Sequence, residues 1–277
     1  MSARQVFNPL PVPTRLAGGE GVFTYAQRHA RRNFSSVKNI EGAVREQGYP
    51  LRNARLAPER LDLWQQLGDL HPSAFTVPQT IAGQWVSDRP LCLRCAGGAE
   101  AHGRLPLVGN VCLRHRRWIG DGPQADVRSV RTVVEAERRF RKRLALALVL
   151  YDSPAMLVGK EAAVAALSPA QIEERAHSWG TDRLEVLVYP EQVRLASVLA
   201  SPAIMRVATD PNEPGEVRCS LIEQAVSRAI PWDEDTELWR AQARLWHVVT
   251  RLTDARRQAA LRGTEPADAE YSLLRLL

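Results

Sequence analysis

Cysteine is scarce in this chain. It has four in 277 residues, and three of them fall between positions 92 and 112. That is too few for a disulfide framework, and Cys219, alone in sequence, reads as a small buried apolar residue. Close cysteine pairs with no partner for Cys219 point to a reducing cytoplasm. Long apolar runs are also missing. The longest, Leu144 to Tyr151, is far short of the roughly 20 residues that span a bilayer. The first residues, Met1 to Asn8, lack a basic-then-apolar signal pattern. A soluble protein with no membrane partner is the expectation.

The common catalytic signatures are absent too. There is no Gly-x-x-x-x-Gly-Lys-Ser/Thr phosphate loop, no Gly-x-Ser-x-Gly elbow and no His-Glu-x-x-His. His177 and His247 lie in helical patterns without a nearby nucleophile. Asp233-Glu234-Asp235 either opens a helix, where negative charge meets the positive end of the macrodipole, or holds a divalent ion for nuclease chemistry. No constellation nominates a catalytic residue, and a non-enzymatic protein is expected. An apolar content of 45% suffices for a core without disulfides.

What the chain does have is Cys92-Leu93-Arg94-Cys95, sixteen residues, then Cys112-Leu113-Arg114-His115. Two residues between the members of a pair let both reach one ion from a single turn. Two such pairs make a tetrahedral zinc site, with Cys92, Cys95, Cys112 and His115 as ligands. Gly97 fits the left-handed backbone that such a turn needs. Four protein ligands leave no open position for water, so the zinc is read as structural. His102 lies in the gap at a poorer spacing. Leu105, Leu107, Val108 and Val111 read as a short strand between the pairs.

Charge is uneven. Residues 1–150 carry 23 Lys and Arg against 12 Asp and Glu, and residues 151–277 carry 14 against 19. A basic half suits a polyanion, and an acidic half suits another partner. A helix is expected from Val22 to Arg32, with Val22, Tyr25, Ala26, His29 and Ala30 on one face. A second follows from a Ser35 or Ser36 cap to about Gln47. Together they have a helix-turn-helix outline, which is equally the outline of an ordinary packing hairpin. Arg28, Arg31, Arg32, Lys38 and Arg45 fall on its solvent sides. Pro58 to Leu70 forms the next helix. Arg114, Arg116 and Arg117 beside Trp118 suit phosphate contact with stacking, or a solvated edge with Trp118 packed beneath.

Val127 to Tyr151 reads as one long helix carrying Arg138, Arg139, Arg141, Lys142 and Arg143. The pairs Glu135–Arg139 and Glu137–Arg141 would answer two of these internally. The others are free for duplex DNA or simply solvated. Further helices are expected over residues 156–167, from Ser168-Pro169 to Gly180, over 191–199 and over 216–230. Residues 183–189 read as a short strand or irregular. The last helix, capped by Asp235, carries a seam of Leu238, Ala241, Leu245, Val248, Leu252, Ala255 and Ala259. That seam is either core or a surface for a protein partner or homodimer.

The order of these pieces resembles the TniQ family of transposition proteins. Pro9, Pro11 and Pro13 lead into Gly19-Glu20 and a helix ending Arg31-Arg32-Asn33. A second helix reaches Gly48. A leucine-rich helix follows with the turn Leu67-Gly68-Asp69-Leu70-His71-Pro72, and then the Cys-x-x-Cys and Cys-x-x-His pairs. Glu20-Gly21 stands where the family usually has Glu-Ser, and Leu93 where it usually has Pro. The resemblance implies a helix-turn-helix beside zinc ribbons. It also implies a non-catalytic adaptor linking target DNA to a transposase, its ATPase regulator or a targeting complex. The expected fold is therefore mainly α. It has a helix-turn-helix region over residues 1–90, a zinc ribbon over 91–125 and a helical C-terminal domain over 126–277. The rival expectation is a structural interaction protein whose zinc ribbon binds another polypeptide and never touches DNA.

Overall fold

The computed structural model describes residues 6–81, 83–231 and 236–263. The chain is mainly α-helical and divides into two compact units, Met1–Leu105 and Pro106–Leu277.

The first unit is built on three helices, α1 (Val22–Arg32), α2 (Val37–Glu46) and α3 (Pro58–Leu67). Apolar residues recur on α1 every three or four positions, and Val22, Tyr25, Ala26, His29 and Ala30 are all buried. Ser36 caps α2 by accepting from the Asn39 N–H, and Pro58 opens α3 where no N–H is needed. Leu63, Trp64 and Leu67 of α3 meet α1 and Val44 of α2 in one core. The proline-punctuated lead-in is tied down by hydrogen bonds. Leu10 N–H donates to Leu67 O, and Asn33 bonds both the N–H and the carbonyl of Val12.

Three polar side chains inside this core find hydrogen-bond partners. His29 Nε2 donates to Leu67 O at 2.9 Å, and its ring stacks on Tyr25. Burial lowers the His29 pKa from its ordinary 6.5, because a second proton on Nδ1 would put a charge and an unpaired donor in an apolar site. The Tyr25 hydroxyl is pushed up to about 12, chiefly by burial. Glu41 sits low despite burial, because Arg60 grips both of its oxygens at 2.8 Å and Trp64 Nε1 donates to it at 3.1 Å.

Three two-stranded antiparallel ladders follow the helices in sequence. They pair β1 (Thr80–Ile81) with β2 (Gln84–Trp85), β3 (Arg89–Pro90) with β4 (His102–Gly103), and β5 (Val111–Cys112) with β6 (Arg117–Trp118). The strand expected over Leu105 to Val111 does not form as read. Val111 alone is in a strand, because the pairing residues flank each ligand turn rather than fill the gap between them.

The second unit is helical. α4 (Arg131–Arg139) runs into a π-helical turn over Phe140–Leu144 and a 3-10 turn over Ala145–Ala147, and Leu148 closes it in a left-handed conformation. The single long helix expected from Val127 to Tyr151 is thus shorter at both ends. The expected Glu135–Arg139 pair is replaced by Glu135–Arg131 at 2.7 Å, while Glu137–Arg141 forms at 2.7 Å. After it come α5 (Pro154–Ala166), α6 (Pro169–Trp179), α7 (Leu184–Leu187), α8 (Tyr189–Leu199), α9 (Pro202–Ala208), α10 (Gly215–Ala229) and α11 (Leu238–Leu261).

Ser168 and Gln171 form a reciprocal capping box at the start of α6, and Gly180 ends that helix left-handed. The segment 183–189 contains α7, a single helical turn, in place of a strand. Its Val186 and Leu187 are buried on successive positions, which a half-buried strand would not allow. Cys219 is only half buried, on α10 beside Glu223; burial and that carboxylate push its thiol up. Asp233, Glu234 and Asp235 lie outside the described residues.

α5 is the centre of this unit. It packs most extensively on α8 and next on α11. Its buried face is Ala155, Met156, Gly159, Ala162, Ala163 and Ala166. Gly159 lies so near α8 that a β-carbon there would stand 2.7 Å from the Gln192 carbonyl. The α11 seam is core: Ala241, Leu245, Val248, Val249 and Leu252 are buried against the same cluster.

Two outcomes follow. Leu245→Asp buries an unpaired carboxylate and costs several kcal/mol, about 3 or more, so circular dichroism finds an unfolded second unit rather than a folded monomer. For His29 the folded pKa is the lower one, so the unfolded chain takes up the proton first. The stability that neutral His29 contributes is present above pH 6.5 and is lost as pH falls below it toward the folded value. His29→Gln removes that slope from denaturant melts recorded between about pH 5 and 7.

Candidate metal centre and cationic cleft

Cys92 and Cys95 lie in the turn between β3 and β4. Arg89 pairs with Gly103 and Pro90 with His102, and Leu91 N–H extends the ladder to Ala101 O. The turn folds over Cys92: Ala96 N–H donates to Cys92 O and Gly98 N–H to Leu93 O. Gly97 and Gly98 hold φ of +67° and +88°, a backbone that side chains rarely adopt, as the spacing of the pair leads one to expect at Gly97. Cys112 and His115 lie in the equivalent turn between β5 and β6. Val111 pairs with Trp118 and Cys112 with Arg117, and Arg116 takes the left-handed position at φ +48°.

The ligand atoms of Cys92, Cys95, Cys112 and His115 all lie within 4.8 Å of one another. Cys112 Sγ stands 3.8 Å from His115 Nδ1. A tetrahedral ion with bonds near 2.3 Å to sulfur and 2.1 Å to nitrogen sets that separation at about 3.6 Å. The residues therefore fit a closed four-coordinate site, and these four side chains can bind a metal ion. Cys92 and Cys112 are buried and Cys95 and His115 half-buried. His102 is exposed and outside the group.

The first unit also carries a cleft of about 1200 Å³. Its walls are the end of α1, the start of α2 and the first ligand turn. Arg31, Arg32 and Lys38 line it and are exposed, as the sequence leads one to expect. Arg15 and Arg94 line it as well and were not singled out from the sequence. Arg94 could have been, since it stands inside the Cys-x-x-Cys pair. Glu100 is the one acidic lining residue. Among the described residues, Arg31, Arg32, Lys38 and Arg94 have no carboxylate partner.

Other arginines expected at a phosphate are engaged elsewhere. Arg28, at the cleft, holds the buried Glu20 at 2.6 and 2.8 Å and also donates to Arg15 O. Arg45 is partly exposed, 3.6 Å from Glu41, and does not line the cleft. Arg141 donates to Glu137 and to Val111 O. Arg117 donates to Gln124 O from a half-buried strand. Trp118 is core and not a stacking platform: it is buried, and its ring meets Tyr189 edge-on at 5.3 Å. Arg114, Arg116, Arg138, Arg139, Lys142 and Arg143 are exposed. Arg139 also faces Arg194 of α8. Burial first, and then the Arg194 and Arg143 charges, lower its pKa.

The charge is less concentrated in the first unit than the two halves of the sequence suggest. Residues 1–105 carry 13 Lys and Arg against 8 Asp and Glu, and residues 106–277 carry 24 against 23. Much of the basic excess of the first half belongs to residues 106–150.

No helix among the described residues is long and apolar enough to cross a membrane. Comparison with protein-family models, curated proteins and solved structures finds no match to this chain.

Protein purified without chelator is expected to carry one equivalent of metal by elemental analysis. Cys95→Ser loses it and lowers the melting temperature by on the order of 10 °C, since metal-binding energy is folding energy here. Overlaying melting curves for mutant and wild type would remove the structural role.

Proposed function

We propose that this chain is a non-catalytic, zinc-containing DNA-binding adaptor of the TniQ type. In this reading α1 and α2 form a helix-turn-helix, and the two ligand turns form a zinc ribbon. Three thiolates and an imidazole are a donor set suited to zinc. Four protein ligands leave no position for a reacting water, which favours a structural role. The protein partner is a transposase, its ATPase regulator or a targeting complex. It meets the chain through residues 151–277, where acidic residues outnumber basic ones 19 to 14.

The observation that carries the DNA reading is the cleft in the first unit. Arg31, Arg32, Lys38 and Arg94 converge on it from three separate segments, and none of them is ion-paired among the described residues. Cations held at a cleft in excess over its single carboxylate attract a polyanion and release its condensed counterions on binding. The α2 N-terminus at the same cleft adds its positive dipole end. The exposed cations of α4 and the following turn, Arg138, Arg139, Lys142 and Arg143, supply a second basic surface.

The intact, metal-loaded protein is expected to bind duplex DNA with an affinity that falls steeply with salt, at a log–log slope of about −0.9 per phosphate contacted. Replacing Arg31, Arg32 and Lys38 by Gln flattens the slope by about two to three units. Replacing Arg138, Arg139, Lys142 and Arg143 by Gln measures the contribution of the second surface. Absence of binding to any duplex at low salt would overturn the DNA reading and leave the protein-only interaction factor as its successor.

A further inference from the structure

The turn that closes α1 contains a residue that is poorly suited to it. Phe34 N–H donates to Arg31 O at 3.1 Å and Ser35 N–H to Ala30 O at 3.0 Å. This pair of bonds is the Schellman closure of a helix, which puts the residue at Phe34 in the left-handed region. Its φ is +55°. Glycine takes that conformation freely, whereas a β-carbon there is disfavoured and a bulky aromatic is an outlier. The Phe34 ring does not repay the strain through packing. It is 97% exposed, more than any other large hydrophobic side chain among the described residues. The chain thus holds an aromatic ring out in solvent at a position where glycine would be better tolerated. Strain kept with no structural return points to function.

The surroundings of Phe34 indicate what the ring meets. Its sequence neighbours Arg31, Arg32, Ser35 and Lys38 all line the cationic cleft, as does Arg94, and Phe34 stands at its edge in sequence without lining it. We infer that Phe34 is a wedge that enters duplex DNA at a base step while these cations hold the flanking phosphates. The inference rests on the DNA-binding reading and adds the residue that meets the bases. A phenylalanine has no hydrogen-bonding groups with which to read a base edge. It selects instead for steps that unstack easily, such as pyrimidine–purine steps, and it bends the duplex where it enters. A left-handed backbone at the apex of a tight turn suits this role, since it projects the ring away from the helix it terminates.

Phe34→Gly separates the strain from the function. It replaces an outlier by the residue the turn favours, so the protein folds and melts a few degrees higher. It also weakens duplex binding about tenfold, in line with the loss of one base contact. Relaxing a closed plasmid with topoisomerase in the presence of protein provides a readout that does not require the target sequence to be known. At matched occupancy the wild type shifts the topoisomer distribution by unwinding the duplex, and Phe34→Gly does not. Phe34→Trp restores the shift. If Phe34→Gly binds and unwinds as the wild type does, the wedge is overturned while the DNA-binding reading stands. If the wild type binds no duplex at low salt although Phe34→Gly melts higher, the DNA-binding reading fails and the wedge fails with it.

Discussion

The buried glutamates constrain much of the rest of this structure. Glu20, Glu41, Glu137 and Glu191 are the four buried glutamates among the described residues, and each accepts hydrogen bonds from an arginine: Arg28, Arg60, Arg141 and Arg175 respectively. A carboxylate removed from water is costly until it is paired, and each of these four is. Glu137 accepts from Arg141, Tyr189 Oη and the N–H groups of Gly109 and Val111. It thereby joins α4, α8 and the strand that carries Cys112. Burial still pushes its carboxyl above the usual range. Removing either partner strands the other charge, at a cost of about 3–5 kcal/mol. Glu20 does similar work in the first unit, tying Ala17 N–H to Arg28 beside the β-bridge between Glu20 and Gly103.

Two groups of cations stand apart. One is internal and holds the scaffold. The other, with Lys38, lines the cleft or covers the exposed side of α4. The internal arginines are not free to meet an outside polyanion, so net charge overstates what the protein can offer a partner. The four metal-binding side chains belong to the same logic. They fix the turn that carries Arg94, a scaffold element that displays one of the free cations.

The metal centre was the most legible part of the sequence, because ligand chemistry demands particular residues at particular spacings. Helices with a clean apolar stripe or a strong cap were also legible, as at α1 and α6. Residues 183–189 were not, since a run buried all round has no period to read. The division of α4 into α, π and 3-10 turns left no mark in the apolar stripe, which continues through Phe140 and Leu144. Arg28 looked solvent-facing because its partner, Glu20, is a glutamate, a residue type that sequence patterns place outside, whereas the Glu137–Arg141 pair was legible from its spacing. The cleft was half visible. Arg31, Arg32 and Lys38 lie close in sequence, but only folding brings Arg15 and Arg94 beside them. Phe34 gave no signal because a left-handed backbone is expected at glycine.

The face that α5 turns to its neighbours is made almost wholly of alanine and glycine. Most cores lose stability when large side chains are trimmed. Here there is little left to trim, and the helices are held by close approach of their backbones. The tolerance of this helix to change is therefore lopsided. Its sequence can drift among the smallest residues, but enlargement at Gly159 has to move the backbone of α8, and the buried Ala162, Ala163 and Ala166 beside it have no exposed side to grow into. Over long divergence, α5 should change more slowly than the bulkier helices around it, because nothing in its packing has room to compensate.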